Sequence, residues 1–301
     1  MRISVALCSK GRPAALGVAL TALARQSLPP AEVILAVTEA GDLPPPGAFG
    51  LARGPRVVFS RPGLARQRNR ALGARDARTE ALVFFDDDYR PAPDALEGIA
   101  RGFRTFPRAA GLNGALLADG VRAGGLTEAE AAAHLALYPG APRLPRALAR
   151  RLTGLYGCNM ALRAAALGET RFDTRLPAYG WQEDVDFTAR LPGEKLKTDA
   201  FAGVHLGQRA GRETGGEALG YAQIANPLYL MRKGALPPRF ACGLMARNLL
   251  ANHAGMLAPM LVPPLRRDAW ADRAGRAAGN RRALADLMAL RIAPERMLRG
   301  A

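Results

Sequence analysis

Lysine is almost missing from this chain: of 42 Lys+Arg residues, only Lys10, Lys195, Lys197 and Lys233 are lysines. Cysteine is scarce too, with Cys8, Cys158 and Cys242 far apart in 301 residues. An odd, scattered set without CxxC spacing argues against a disulfide framework and a structural zinc site. Aromatic residues are only 6%, and 26 acids face the 42 bases, for a net charge of +16. Such a balance suits either a polyanionic partner or a solvated arginine-rich surface set by codon usage. Nucleic-acid binding calls for clustered charge with exposed aromatics or a recognisable module, and neither is present, so no nucleic-acid partner is expected. Long apolar runs are also lacking. The nearest, 243–265, holds Arg247, Asn248, Asn252, His253 and three prolines, too polar and broken to span a bilayer. The N-terminus lacks a signal-peptide pattern, so the expectation is a soluble, cytoplasmic chain. A hydrophobic fraction of 49% excludes a disordered one and supports one large domain or two modest ones.

What is present alternates. Apolar runs at 3–8, 33–37, 57–59 and 81–85 read as strands. Between them, Leu16, Leu20 and Leu23 fall at helical spacing after Pro13, and 64–74 and 93–106 also read as helices. Strands alternating with helices imply a mainly parallel sheet covered on both faces, with ligands bound beyond the carboxyl ends of its strands. Farther along, 127–137 reads as a helix whose Thr127 and Glu130 fit a capping box, 43–54 as a surface loop, and everything from about residue 235 as arginine-studded helix.

Three groups of residues carry chemistry. Asp86-Asp87-Asp88 closes the strand ALVFF; three adjacent carboxylates either gather a hard divalent cation or form a solvated acidic turn. Glu183-Asp184 opens a helix in WQEDVDF, as a general base or as a helix cap. His205, set in Gly203-Val204-His205-Leu206-Gly207 at a strand end, is a third metal ligand or a structural histidine.

The order strand–SKGRP–helix, RQRN, FFDDD, GCNMALR, WQEDVDF and GVHLG resembles the family-2 glycosyltransferases of the GT-A fold, over about residues 1–235. The resemblance implies a GT-A domain at 1–235, with a nucleotide-binding half at 1–110 and an acceptor half at 111–235, followed by a basic helical extension at 236–301. It implies an inverting, metal-dependent transfer of a sugar from a nucleoside-diphosphate sugar to a carbohydrate or lipid-linked hydroxyl, as in bacterial surface polysaccharide or glycolipid synthesis. Mn²⁺ or Mg²⁺ would be held by Asp88, His205 and Asp86, and Asp184 would be the base with Glu183 beside it. Donor contacts would come from Ser9, Arg12, Glu39, Arg68, Asn69, Asp86 and Asp87, with Asp42 a second candidate for the base-contacting acid. Gly157, Cys158, Asn159 and Trp181 would border the donor sugar and acceptor. The opening loop departs from the family pattern, with Cys8 where proline is usual and Gly11 where asparagine is. Two other classes compete: a nucleotidyltransferase, although SKGR lacks the glycine-rich triphosphate loop, and a basic nucleic-acid-binding protein. Between 266 and 299, nine arginines face four acids. With Leu244, Met245, Leu249, Leu250, Met256, Leu257 and Met260 upstream, this stretch suits either an interfacial helix on anionic lipid at the inner membrane face or an ordinary helical extension.

Overall fold

The computed structural model describes residues 1–45, 47, 50–121, 124–208, 215–261 and 267–298. Its strands are β1 Ile3–Cys8, β2 Glu32–Val37, β3 Arg56–Phe59, β4 Ala81–Asp86, β5 Tyr89–Pro91, β6 Ala109–Asp119, β7 Ala147–Ala149, β8 Asn159–Arg163 and β9 Glu194–His205. Its helices are α1 Pro13–Ala24, α2 Leu64–Ala74, α3 Ala95–Thr105, α4 Glu128–Ala136, α5 Glu183–Ala189, α6 Gly216–Arg232, α7 Pro238–Leu261 and α8 Arg267–Met288. They fall into two compact units, one of residues 1–62, 66–172 and 190–211, the other of 63–65, 173–189 and 212–301.

The first unit holds one sheet in the order β3-β2-β1-β4-β8-β6-β9-β5, with β7 paired to β9. Strands β3, β2, β1 and β4 run parallel, as their apolar runs predict. Strand β8 is antiparallel to both β4 and β6, and β6 runs parallel to β9. The core forms where Val5, Leu7, Leu35, Val83 and Phe85 of the sheet meet Leu16, Leu20 and Leu23 of α1 and Ile99 and Phe103 of α3. Each such side chain contributes about 1.5–3 kcal/mol on burial. Gly98 lets α3 lie directly on β9, since a Cβ there would collide with the Ala200 carbonyl. In register, Cys8 lies opposite both Ala36 and Asp86, so the carboxyl ends of β1, β2 and β4 share one edge. The capping box of α4 forms: the Thr127 hydroxyl accepts from the Glu130 N–H at 3.2 Å, and Glu130 accepts from the Thr127 N–H at 2.8 Å. The loop read at 43–54 is described only in part, since 46, 48 and 49 lie outside the described residues.

The second unit is helical. Tyr221, Ala222, Ile224, Ala225, Ala283 and Met297 make its core, with Met245, Leu249 and Ile292 packed against them. A row of buried amides sets the register of α6, α7 and α8. Asn252 Nδ2 donates to Gln223 Oε1 at 2.8 Å and to Asn280 Oδ1 at 2.9 Å, and Asn280 Nδ2 donates to the Gly220 carbonyl at 2.6 Å. The C-terminal helices thus form one body with α6 and with segment 173–189, which the sequence alone grouped with the acceptor half rather than with 236–301.

Candidate active site

The carboxyl edge of the parallel strands gathers the acidic triplet. Asp87 and Asp88 are buried, and Asp86 is half-buried. Their charge is met by two arginines. Arg12 Nη1 lies 2.7 Å from Asp87 Oδ1, and its Nη2 lies 3.4 Å from Asp88 Oδ2. Arg68, only 2% exposed, donates to Asp86 Oδ1 at 3.0 Å and to the Gly157 carbonyl at 3.2 Å. The Ser9 hydroxyl donates to Asp87 Oδ2 at 2.7 Å. Burial pushes the Asp87 carboxyl up to about 6; Arg12 and Ser9 pull it down, while Asp88 and Asp86 add to the rise.

His205 completes the group. One ligand atom from each of Asp86, Asp88 and His205 lies within 4.8 Å of the others. The ring is 1% exposed, and its Nε2 stands 3.4 Å from Asp88 Oδ1 without a well-aligned hydrogen bond. At the opposite edge, Nδ1 lies 3.0 Å from Asp119 Oδ1 and 3.2 Å from the Tyr156 hydroxyl. Burial lowers its pKa, but the hydrogen bond to Asp119 and the nearby Asp88 carboxylate outweigh it and hold His205 up at about 9. Gly207, at φ +63°, turns the chain where a Cβ would strike Val121 N, and the next residue, Gln208, donates its N–H to Asp88 Oδ2 at 3.1 Å. Two carboxylates and an imidazole suit a divalent ion of the Mg²⁺ or Mn²⁺ kind, which would satisfy the buried Nε2. The residues present therefore fit a metal.

The structure gives other expected residues structural partners. Both ends of the Asn69 amide are taken by Phe172: its Nδ2 donates to the Phe172 carbonyl at 2.9 Å, and its Oδ1 accepts the Phe172 N–H at 2.8 Å. Asn159 is buried, and its Oδ1 accepts from Asn113 Nδ2 at 2.8 Å; the Cys158 side chain is buried as well. Asp42 accepts from Gly11 N at 2.5 Å and from Thr38 N and Oγ1 at 2.7 Å each, bracing the loops after β1 and β2. Burial raises its pKa, but those bonds and the Glu39 N–H outweigh it and hold it below the usual carboxylate range. Glu39 itself is exposed. Sequence reading passed over Gln67, whose Nε2 donates to the Ser9 and Ala36 carbonyls at 2.8 and 2.9 Å, as well as Asp119, Tyr156 and Gln208. In RQRN the family pattern marks Arg68-Asn69, while Gln67 just before them ties the two strand ends together.

In the second unit, a tight turn leads into α5. Gly180 N–H bonds to Pro177 O at 2.8 Å, and Glu183 N–H to Gly180 O at 2.7 Å. Glu183 is buried and Asp184 half-buried at the start of the helix, whose Phe187 and Thr188 are fully buried. Asp186, likewise buried, is held by Lys233 Nζ at 2.9 Å. Asn226 Nδ2 donates to the Trp181 carbonyl at 2.8 Å, fixing the turn from behind.

A half-parallel α/β sheet with an acidic cluster at the carboxyl ends of its strands places a ligand site at that edge. Residues 4–170 match the model of glycosyl transferase family 2, and the chain belongs to that family. It is a glycosyltransferase, which sets aside the nucleotidyltransferase and nucleic-acid-binding alternatives. Solved structures share the GT-A fold. S. aureus TarS 1–349 is similar with a TM-score of 0.52 at 14% identity, over 98% of this chain and 89% of that one. The mannosyltransferase PcManGT from Pyrobaculum calidifontis, in complex with GDP-Man and Mn²⁺, has a TM-score of 0.52 at 17% identity, over 95% and 87%. TarS 1–349 in complex with UDP-GlcNAc has a TM-score of 0.51 at 14% identity, over 98% and 90%. None of the curated proteins is a significant match.

Proposed function

We propose that this glycosyltransferase moves a sugar, with inversion at the anomeric carbon, from a nucleoside-diphosphate sugar to the hydroxyl of a carbohydrate or lipid-linked acceptor. The observation that carries the reading is the meeting of Asp86, Asp88 and the buried Nε2 of His205 at the strand ends. The nucleotide-sugar complexes of TarS and PcManGT, the latter also with Mn²⁺, support it by analogy. Asp88, His205 and Asp86 would hold Mn²⁺ or Mg²⁺, which would neutralise charge growing on the leaving diphosphate.

The chain's own residues do the rest. Ser9 and Gln67 fix the loop after β1, so Arg12 is presented beside Asp87 and Asp88, where it meets the donor's phosphates. Exposed Glu39 contacts the nucleoside. Asp184 takes the acceptor proton from within hydrogen-bond reach of the incoming hydroxyl, and buried Glu183 beside it stiffens the start of α5. Base assistance is worth about 10²–10⁴ in rate. Assayed against a panel of UDP-, GDP- and dTDP-sugars, Asp184→Asn is expected to lower turnover by that order while its donor Kd stays within twofold. Wild-type turnover in this variant would remove Asp184 from the role.

A second surface bears on where the acceptor resides. Leu284 and Met288 line one face of α8, Leu290 follows, and Met288 and Leu290 are 81% and 90% exposed. Exposed Arg281 and Arg291 border them. This face, we propose, rests on anionic lipid, which liposome flotation tests. Most of the described arginines of α8 and beyond pair internally: Arg276 with Asp272, Arg282 with Glu217, and Arg291 and Arg296 with Asp286. Leu244, Met245 and Leu249 are likewise spent on packing, while Leu250 of α7 is 70% exposed and the side chains of Leu257 and Met260 lie outside the described residues. Arg266 and Arg299 lie outside the described residues. Among the described residues, no helix is long and apolar enough to cross a membrane.

A further inference from the structure

The Nδ1 edge of the His205 ring is held by two side chains. Asp119, at the end of β6, lies opposite His205 in the β6–β9 register, and the Gly120 N–H bonds to the His205 carbonyl at 2.9 Å. That pairing brings the Asp119 side chain, 86 residues away in sequence, to 3.0 Å from Nδ1. Tyr156 stands edge-on to the imidazole, with ring centroids 5.6 Å apart at 81°, and its hydroxyl lies 3.2 Å from the same nitrogen. Asp119 Oδ1 also accepts the Val121 N–H at 3.2 Å, so the carboxylate is itself tied down. With Nδ1–H kept on a fixed carboxylate, the proton a metal displaces is the one on Nε2, the edge turned toward Asp88. A histidine that ligates a metal through one nitrogen while its other N–H meets a carboxylate is fixed in both tautomer and orientation.

We propose that Asp119, assisted by Tyr156, is a positioning residue that holds the His205 ring with Nε2 facing the Asp86–Asp88 pair, and that it thereby sets the affinity of this site for a divalent cation. The inference rests on the metal-binding reading of that site. Its readout is metal affinity, so the effect is legible without any sugar present.

The test is titration of the full chain with Mn²⁺ alone, followed through the electron paramagnetic resonance signal of the free aquo ion. Loss of such a carboxylate partner typically weakens metal binding by about 10–100-fold. Asp119→Ala is expected to weaken Mn²⁺ by that factor, with its thermal midpoint in chelator unchanged. Asp119→Asn keeps an oxygen that accepts from both Nδ1 and Val121, and is expected to recover more than half of the loss on a logarithmic scale. Wild-type affinity in Asp119→Ala, or no recovery in Asp119→Asn, would overturn the positioning role while leaving the metal site intact. So would a loss of affinity that tracks a fall of the thermal midpoint in chelator. Absence of Mn²⁺ binding by the wild-type chain would instead overturn the metal site itself, and this inference with it.

Discussion

Replacing Arg68 with methionine separates a ligand contact from a structural brace. The guanidinium is 2% exposed, bonds Asp86 Oδ1 at 3.0 Å and the Gly157 carbonyl at 3.2 Å, and lies 5.7 Å from the ring centres of both Phe84 and Phe172. Methionine preserves most of the stem's packing but returns none of the polar contacts. The Gly157 carbonyl is left buried without this donor, at a cost of about 1–3 kcal/mol. The lost cation–π contacts add roughly 0.5–2 kcal/mol. Asp86 is more than a quarter exposed, so water regains it and the cost stays below the 3–5 kcal/mol of a fully buried broken pair. These two losses sum to about 1.5–5 kcal/mol. At roughly 2–4 °C per kcal/mol for a domain of this size, differential scanning calorimetry of the metal-free protein should show Tm lower by about 3–20 °C. If Arg68 instead serves the donor alone, Tm will not move and only nucleotide binding will weaken. That outcome would refute the brace.

Two further outcomes follow from the second unit. Burial raises the Asp286 pKa, but hydrogen bonds from Arg296, Arg291 and Tyr221 outweigh it and hold the carboxyl at about 2, below its ordinary 3.8. A depressed acid contributes stability that is fully present above its unfolded pKa and is lost as pH falls from about 4 through 2. Asp286→Asn is therefore expected to lower Tm at pH 7 while flattening the fall of Tm across that acid window; equal slopes in the two proteins would contradict the pairing. In flotation, vesicles with anionic lipid should carry the wild-type chain upward and neutral vesicles should not, and Met288→Glu with Leu290→Glu should abolish the effect. Equal flotation of wild type and double variant would remove α8 from the contact.

How much of the fold and the site is legible in the sequence depends on the kind of signal. Strands β1, β2 and β4 are continuous apolar runs because both faces of the sheet are covered there, and pattern alone exposes them. Strand β9 reads EKLKTDAFAGVH, with lysines and a threonine in its first half; it becomes a strand by pairing with β6, β5 and β7 rather than by propensity. The β6–β9 register also shifts at bulges, which scrambles any period-two pattern. At the site, the acidic triplet was conspicuous because three like charges in a row need an explanation. Asp119 and Tyr156 were invisible, being single residues of ordinary type brought to His205 from 86 and 49 positions away. Asn69 illustrates the converse: a motif residue whose amide is spent on the Phe172 backbone, which no local pattern announces. The terminal arginines suit either a lipid-facing helix or an ordinary extension by pattern alone, and the fold supplies acids for four of them.

The claim on which the rest depends is that the edge formed by β1 and β4 is a metal-dependent nucleotide-sugar site. Isothermal titration calorimetry with UDP and GDP, in Mn²⁺ and in chelator, on the wild-type chain and on Asp88→Asn, addresses it directly. The account predicts that one nucleoside diphosphate binds at least tenfold tighter with Mn²⁺ than in chelator, and that this gain disappears in Asp88→Asn. Equal affinity in Mn²⁺ and in chelator, or an undiminished gain in the variant, would contradict it.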